Sequence, residues 1–168
     1  MPVDGRLLCL LLVACGVARA EVLEGRITHV GDGDSLSICV ERREVRIRLL
    51  NIDAPEYKQP FGVESRQSLA ELCANKVARV SWTKKDRYGR RLGQVSCDGI
   101  DVNAEQVRRG LAWVSRLELP DESFLVAERS ARTARIGLWI DGNAVPPWKW
   151  RRANSAASVW KGVGERDC

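Results

Sequence analysis

An arginine and two acidic residues lie close together in the segment R-I-R-L-L-N-I-D-A-P-E, residues 46–56. Apolar residues alternate with arginines at its start, which predicts a strand with one buried face and with Arg48 on the opposite face. Asp53 and Glu56 follow in a loop, because Pro55 cannot extend a ladder of strand hydrogen bonds. A guanidinium group beside two carboxylates suits hydrolysis of a phosphate ester, since arginine neutralises phosphate while carboxylates hold a metal ion or activate water. An ordinary surface salt bridge is the alternative interpretation.

A further acidic position lies in the turn G-D-G-D, residues 31–34. Asp34 has the same parity as the apolar residues of the predicted strand 35–40, so its side chain should face inward. An unpaired carboxylate at that place would cost about a few kcal/mol, which favours a cation beside it. The alternative is that Asp32 and Asp34 only shape the turn.

A basic loop, K-K-D-R-Y-G-R-R at residues 84–91, separates two predicted strands; we call it the basic hairpin. Gly89 permits a sharp bend that re-aims Arg90. Tyr88 offers an aromatic face beside Arg87, a combination that suits nucleic-acid binding. A solvated hairpin tip is the alternative interpretation.

Five segments have strand patterns that would position these side chains. The predicted strands are 22–30, 35–40, the segment through Arg46, 77–82 and 92–97. The turn at 31–34 and the basic hairpin both connect strands, so the candidate residues gather where strands end.

Three helices are also predicted. The first runs from about 63 to 75, with apolar residues at i, i+3, i+4 spacing. Asn103 should cap the second, Gln106 stands where a capping-box partner would, and Gly110 should end it. The third should begin near Asp121. With the strands, these helices predict an α+β fold dominated by a five-stranded OB-type Greek-key β-barrel with three helices.

Residues 1–20 have the pattern of a signal peptide. Arg6 precedes an apolar run at 7–13, and A-R-A at 18–20 matches a signal peptidase site. The run is too short to span a membrane, and no later segment is apolar enough to do so. The surroundings of Cys15 also resemble a lipobox, so a lipoprotein anchored through Cys15 is the alternative. Either route predicts a protein that leaves the cytoplasm, secreted or periplasmic.

Composition favours one domain and a polyanionic partner. The chain has 168 residues with 27 basic and 22 acidic side chains; the leader holds two arginines and one aspartate, so its removal changes the net charge from +5 to +4. Residues 21–142 should form the barrel domain. Residues 143–168 form a tail that contains P-P-W-K-W-R-R, whose tryptophans and arginines could stack on bases or cover an apolar patch. We expect this tail to pack on the domain.

Cysteines give a further prediction, because an exported chain meets an oxidising compartment. Four would remain after cleavage, and four cysteines allow three connectivities. The absence of a C-x-x-C pair and the presence of a single histidine argue against a structural zinc site. These cysteines are Cys39, Cys73, Cys97 and Cys168.

Four motifs in unbroken order resemble the thermonuclease family, the staphylococcal-nuclease-like nucleases, in its secreted bacterial branch. They are G-D-G-D-S at 31–35, I-R-L-L-N-I-D-A-P-E at 47–56, D-R-Y-G-R at 86–90 and V-N-A-E-Q-V-R-R-G-L-A at 102–112. The resemblance implies a monomeric nuclease that uses Ca²⁺ to hydrolyse phosphodiester bonds in DNA and RNA. A non-catalytic OB-fold nucleic-acid-binding protein is the alternative, although a pure binder has no reason to set carboxylates against a polyanion.

The resemblance also implies roles for individual residues. Asp34 and Asp53 match the carboxylate metal ligands, and Ala54 matches the residue whose carbonyl completes them. Glu56 matches the general base, and Arg48 and Arg90 match the arginines that hold the scissile phosphate. Arg87 and Tyr88 remain as substrate-binding candidates, because the nucleotide-binding tyrosines of the best-known member have no evident counterpart. Cys73 and Cys97 recur as a pair in similar secreted sequences, which implies a disulfide; Cys39 and Cys168 stay open.

Overall fold

The structure, a computed structural model, describes residues 20–117, 121–154 and 168. Apart from Ala20, the predicted signal peptide lies outside the described residues, as does Cys15. Within the described ranges, none of the helices combines the length and the apolar character needed to cross a lipid bilayer.

Five long strands form a closed β-barrel: β1 (Glu21–Asp32), β2 (Ser35–Val40), β3 (Arg43–Leu49), β5 (Val77–Lys85) and β6 (Arg91–Cys97). Three further strands have two residues each: β4 (Ile52–Asp53), β7 (Ile100–Asp101) and β8 (Trp113–Val114). The hydrogen-bonded order is β3-β2-β1-β5-β6, and a parallel pairing of β3 with β6 closes the barrel. The short β4 pairs with β8 outside it. The predicted five-stranded OB-type barrel is therefore confirmed.

Alternation along the strands explains how the barrel closes around its core. In β3 the three apolar side chains are buried, while the charged side chains between them lie on the outer face. Helices cover the ends of this core. The fully buried members include Ile38, Ile47, Leu69, Val80, Val95 and Val107.

The helices are α1 (Gly62–Cys73), α2 (Val102–Arg108), α3 (Glu122–Thr133) and α4 (Pro147–Ala153). The predicted number of three is too low by one, because the tail itself contains α4. Pro147 stands at its first position, where the missing N–H costs nothing and the fixed φ favours a helix. Asp121 caps α3 by accepting a hydrogen bond from the Ser123 N–H at 2.8 Å, so the predicted start of that helix is correct.

The predicted cap of α2 is wrong. Asp101 is the N-cap residue, whereas Asn103 lies inside the helix and is fully buried. The Asn103 side chain accepts a hydrogen bond from the Val95 N–H at 3.0 Å and donates to the carbonyls of Leu50 (2.9 Å) and Gly93 (3.0 Å). Asn103 thus joins α2 to the barrel. An asparagine near the start of a helix can either cap the helix or bond elsewhere, and the local sequence is the same in both cases.

Two disulfides join α1 and Cys168 to strands of the barrel. Cys73 at the end of α1 is bonded to Cys97 at the end of β6, the pair that the resemblance implies. Cys39 in β2 is bonded to Cys168. Each bond links segments distant in sequence, which restricts the unfolded chain.

Candidate active site

Asp34 lies in the turn directly before β2, and it is only 1% exposed. Its carboxylate contacts the Arg48 guanidinium, and its Oδ2 accepts a hydrogen bond from the Ala54 N–H at 2.5 Å. The pairing of Ser35 with Arg48 across β2 and β3 explains why Arg48 reaches Asp34. The N–H of Asp34 also donates to Asp32 at 3.2 Å, so Asp32 shapes the turn while Asp34 faces inward.

The turn beneath Asp34 is packed too closely for any side chain at Gly33. A Cβ there would meet the side chains of Ser65 and Ala54. Gln106 is fully buried and donates hydrogen bonds to the carbonyls of Gly33 (2.7 Å) and Ser65 (3.0 Å). Gln106 is therefore not a capping-box partner; it holds the turn against α1 and so fixes the position of Asp34.

Asp53 is placed beside Asp34 by the two-stranded pairing of β4 with β8, in which it faces Trp113. It is 5% exposed. Arg48 donates from Nη2 to Asp53 Oδ1 at 2.7 Å and to the Ile52 carbonyl at 3.4 Å. One guanidinium thus bridges two buried carboxylates. Removing one partner of a buried ion pair costs more free energy than removing one partner of a surface pair.

Glu56 follows in the loop and is held through its backbone by Gln59, a residue that the sequence did not indicate. The Glu56 N–H donates to Gln59 Oε1 at 3.2 Å, and the Gln59 N–H donates to the Glu56 carbonyl at 2.8 Å. The Gln59 amide also donates to the Val145 carbonyl at 2.5 Å. Buried Gln59 therefore connects the loop of Glu56 to the C-terminal segment.

Arg151 on α4 enters the site, which the sequence also did not indicate. Its Nη2 donates to Asp53 Oδ2 at 2.8 Å, and its Nη1 donates to Glu56 Oε1 at 2.8 Å and to Asp53 Oδ1 at 3.2 Å. Partial burial lowers the pKa of Arg151, but the bonds to Asp53 and Glu56 outweigh it and raise the pKa above its ordinary value. The only sequence signal was a basic residue within a tryptophan-rich tail.

The basic hairpin is ordered by Asp86. Its Oδ2 accepts from Arg90 Nε at 2.8 Å, and its Oδ1 accepts from the backbone N–H groups of Tyr88 (2.8 Å) and Arg90 (3.0 Å). Burial raises the pKa of Asp86, but the Arg90 guanidinium and these N–H groups outweigh it and hold the pKa below its ordinary value. Gly89 has φ of +77°, which allows the tight bend. Arg87 and Arg90 both stack on the Tyr88 ring, at 4.8 Å and 5.5 Å from its centroid.

Arg90 contacts Asp86 and Tyr88 of the hairpin. It directly precedes β6, whose Leu92 pairs with Arg48 in the parallel β3–β6 ladder. Arg46 on β3 donates to the Tyr88 carbonyl at 3.0 Å, which fixes the hairpin to the same strand as Arg48. The structure thus brings Asp34, Arg48, Asp53, Ala54 and Glu56 together, and it places Arg87, Tyr88 and Arg90 on the neighbouring hairpin.

We define the carboxylate cluster as Asp34, Asp53 and Glu56, and its donor chemistry fits a hard divalent cation. All its side-chain donors are oxygen atoms, and two of the three carboxylates are buried. Within residues 20–117, 121–154 and 168, no group of three or more acidic, histidine or cysteine side chains could hold a metal ion by itself, so a cation at Asp34 and Asp53 would also need backbone carbonyl or water oxygens. Two carboxylates bridged by Arg48, with the adjacent Ala54 peptide, are the donors that the protein offers.

Comparison with known proteins gives concordant matches. A family model described as "Staphylococcal nuclease homologue" matches residues 46–141. An "Uncharacterized endonuclease" of Escherichia coli O157:H7 is 45% identical over 130 residues, which cover 77% of this chain and 85% of the relative. The "Micrococcal nuclease" of Shigella flexneri is 39% identical over 145 residues, 80% of this chain and 83% of the relative. A "Probable staphylococcal-like nuclease CAN2" of Oryza sativa subsp. japonica is 38% identical over 110 residues, 66% of this chain and 30% of the relative.

Proposed function

Because the chain belongs to the family of staphylococcal nuclease homologues and is a nuclease hydrolase, we propose that it is exported and uses Ca²⁺ to cleave DNA and RNA. The arrangement that supports this proposal is the Arg48 bridge between two buried aspartates, with Glu56 beside them. Buried charges are costly, and a polyanion-binding surface would not keep acidic groups unless they served a cation or a water molecule.

The proposed metal ligands are Asp34, Asp53 and the Ala54 carbonyl. Calcium bound there would supply positive charge against a phosphate oxygen of the substrate. Arg48 holds both aspartates in place, and three of its five N–H groups are directed at Asp34, Asp53 and the Ile52 carbonyl. The two other N–H groups of Arg48 are proposed to donate to a phosphate oxygen.

Glu56 is the proposed general base, which takes a proton from the attacking water as the water oxygen bonds to phosphorus and the ester bond from phosphorus to the leaving sugar oxygen breaks. Its side chain is 38% exposed, so water reaches it, while Gln59 fixes its backbone. A positioned general base contributes about 10²- to 10⁴-fold to rate. Arg90 is proposed to donate N–H groups to the phosphate as negative charge develops on it, which requires it to turn from Asp86.

Tyr88 and Arg87 are proposed to bind the nucleotide next to the scissile bond. Tyr88 is 48% exposed, and the guanidinium groups of Arg87 and Arg90 lie 4.8 Å and 5.5 Å from the centre of its ring. Stacking of a base on an aromatic ring is worth about 1–3 kcal/mol and accepts every base. A stacking contact of this kind is compatible with cleavage of both DNA and RNA.

The test is cleavage of plasmid DNA and of single-stranded RNA by purified protein, in Ca²⁺ or in a chelator. Glu56→Gln should lower the cleavage rate by at least about 100-fold because the proton acceptor is lost. Glu64→Gln is the matched control, since Glu64 is exposed on α1, and it should stay within about twofold of wild type. Undiminished cleavage in chelator would refute the calcium assignment, and full activity of Glu56→Gln would refute the general base.

A further inference from the structure

Arg151 takes up the oxygen atoms that the proposed mechanism needs. Both carboxylate oxygens of Asp53 and one of Glu56 accept hydrogen bonds from its guanidinium group. A metal ion at Asp53 needs at least one of those oxygens as a ligand, and a general base at Glu56 needs a free lone pair. In the arrangement seen here, Arg151 therefore competes with a metal ion for both oxygens of Asp53 and occupies one of the two oxygens of the proposed base Glu56.

The two arginines at Asp53 differ in how they are held. Arg48 also contacts Asp34, and its side chain is only 17% exposed. Arg151 pairs with Asp53 and Glu56, and its side chain is 42% exposed. A cation arriving from solvent meets Arg151 first, so Arg151 is the group that such a cation would displace.

The segment that carries Arg151, residues 143–154, is named the C-terminal arm, and it is anchored at its start. The Val145 carbonyl accepts the hydrogen bond from Gln59. Trp148 packs on a buried cluster that includes Trp139, and the Arg116 guanidinium lies 4.7 Å from the centre of the Trp148 ring. These contacts precede Arg151 along the chain, so Arg151 can leave the carboxylates while the base of the arm stays docked.

We propose that Arg151 is an internal cation that occupies the divalent-ion position at Asp53 and Glu56, so that metal binding proceeds by exchange with this guanidinium. The C-terminal arm then determines the metal affinity of the site, and release of Arg151 couples metal binding to access of water to Glu56. This inference rests on the calcium site of the proposed function.

The size of the effect follows from competition. When the binding-competent form is a fraction of the molecules, the apparent dissociation constant rises by the inverse of that fraction. A bidentate guanidinium with a third bond, partly exposed to solvent, should keep Arg151 paired with the carboxylates in about nine molecules of ten. Removing Arg151 should therefore tighten calcium binding by about 10-fold.

The test is calorimetric titration of Ca²⁺ into wild type, Arg151→Gln and the matched control Lys149→Gln. Lys149 lies on the same helix, is exposed, and carries the same charge. Arg151→Gln should bind Ca²⁺ about 10-fold more tightly at unchanged stoichiometry, and Lys149→Gln should stay within about twofold of wild type. Equal affinities for wild type and Arg151→Gln would overturn the inference while leaving the calcium site intact. No binding to either protein would overturn both.

A second measurement needs no variant. Ca²⁺ should speed hydrogen–deuterium exchange of the α4 amides in wild type, because Arg151 no longer pins the outer end of the helix. Exchange of these amides that is unchanged at saturating Ca²⁺ would overturn the inference. Both measurements are made without substrate, so they do not depend on nuclease activity.

Discussion

Replacing Arg48 tests whether its pairing with Asp34 and Asp53 contributes to stability as a buried ion pair does or only as much as a surface pair. Arg48→Gln removes the guanidinium that bridges Asp34 and Asp53 but keeps a polar side chain. Asp53 retains Arg151, so the group left without a cation is Asp34, which is 1% exposed and keeps only the Ala54 N–H. The variant should therefore lose stability through one uncompensated buried charge.

The expected cost is about 3 kcal/mol in the free energy of unfolding, the lower end of the range for removing one partner of a buried ion pair. For a chain of this size that cost lowers the melting temperature by about 6–12 °C. Arg48→Gln combined with Asp34→Asn should recover part of the loss, because the second change removes the orphaned charge.

The assay is urea unfolding at pH 7 in chelator, with disulfides oxidised and Arg90→Gln as the control. Arg90 also pairs with an aspartate, but at the hairpin surface, where such a pair is worth about 1 kcal/mol or less. Arg48→Gln must lower the free energy of unfolding by more than Arg90→Gln does. An equal or smaller loss, or a larger loss when Asp34→Asn is added, would refute the buried ion pair.

Two further predictions concern the hairpin and the leader. The folded-state pKa of Asp86 is below its ordinary value of 3.8, so its stabilisation is present above that pH and is lost as pH falls through the folded pKa. Asp86→Asn should thus lower the free energy of unfolding by about 1 kcal/mol at pH 7 and by progressively less below pH 3.8. Urea unfolding at several pH values measures this difference, and a difference that does not change with pH would contradict the prediction. Mass spectrometry of protein from the producing cell should give Glu21 as the first residue; labelling by palmitate would instead favour the lipoprotein at Cys15.

The sequence predicts those features that depend on local patterns. Alternation in β3 predicts the outward position of Arg48, and parity with β2 predicts the inward position of Asp34. Both predictions succeed because a strand fixes side-chain direction by a period of two. The cap at Asp121 is local in the same sense, since the side chain bonds a backbone N–H two residues away.

Contacts between distant segments could not be predicted in this way. Asn103 donates to the Leu50 carbonyl and Gln106 to the Gly33 carbonyl, both far away along the chain, while the local pattern of these two residues is also that of a helix start. Arg151 is separated from Asp53 by 98 residues. Its place depends on how Trp148 docks on a cluster built from several segments, which no local pattern specifies.

The two arginines at Asp53, Arg48 and Arg151, lie on elements that are held in place to different degrees. Arg48 lies on β3, whose backbone is paired with β2 on one side and with β6 on the other, so its position is fixed by the barrel. Arg151 lies on a short helix in the tail. Two buried aspartates need compensating charge whether or not a metal ion is bound, because an uncompensated buried charge costs several kcal/mol. In the proposed exchange, the fixed guanidinium would supply the permanent part of that compensation and the displaceable one the part that an incoming ion replaces, so the barrel would keep its geometry in both states.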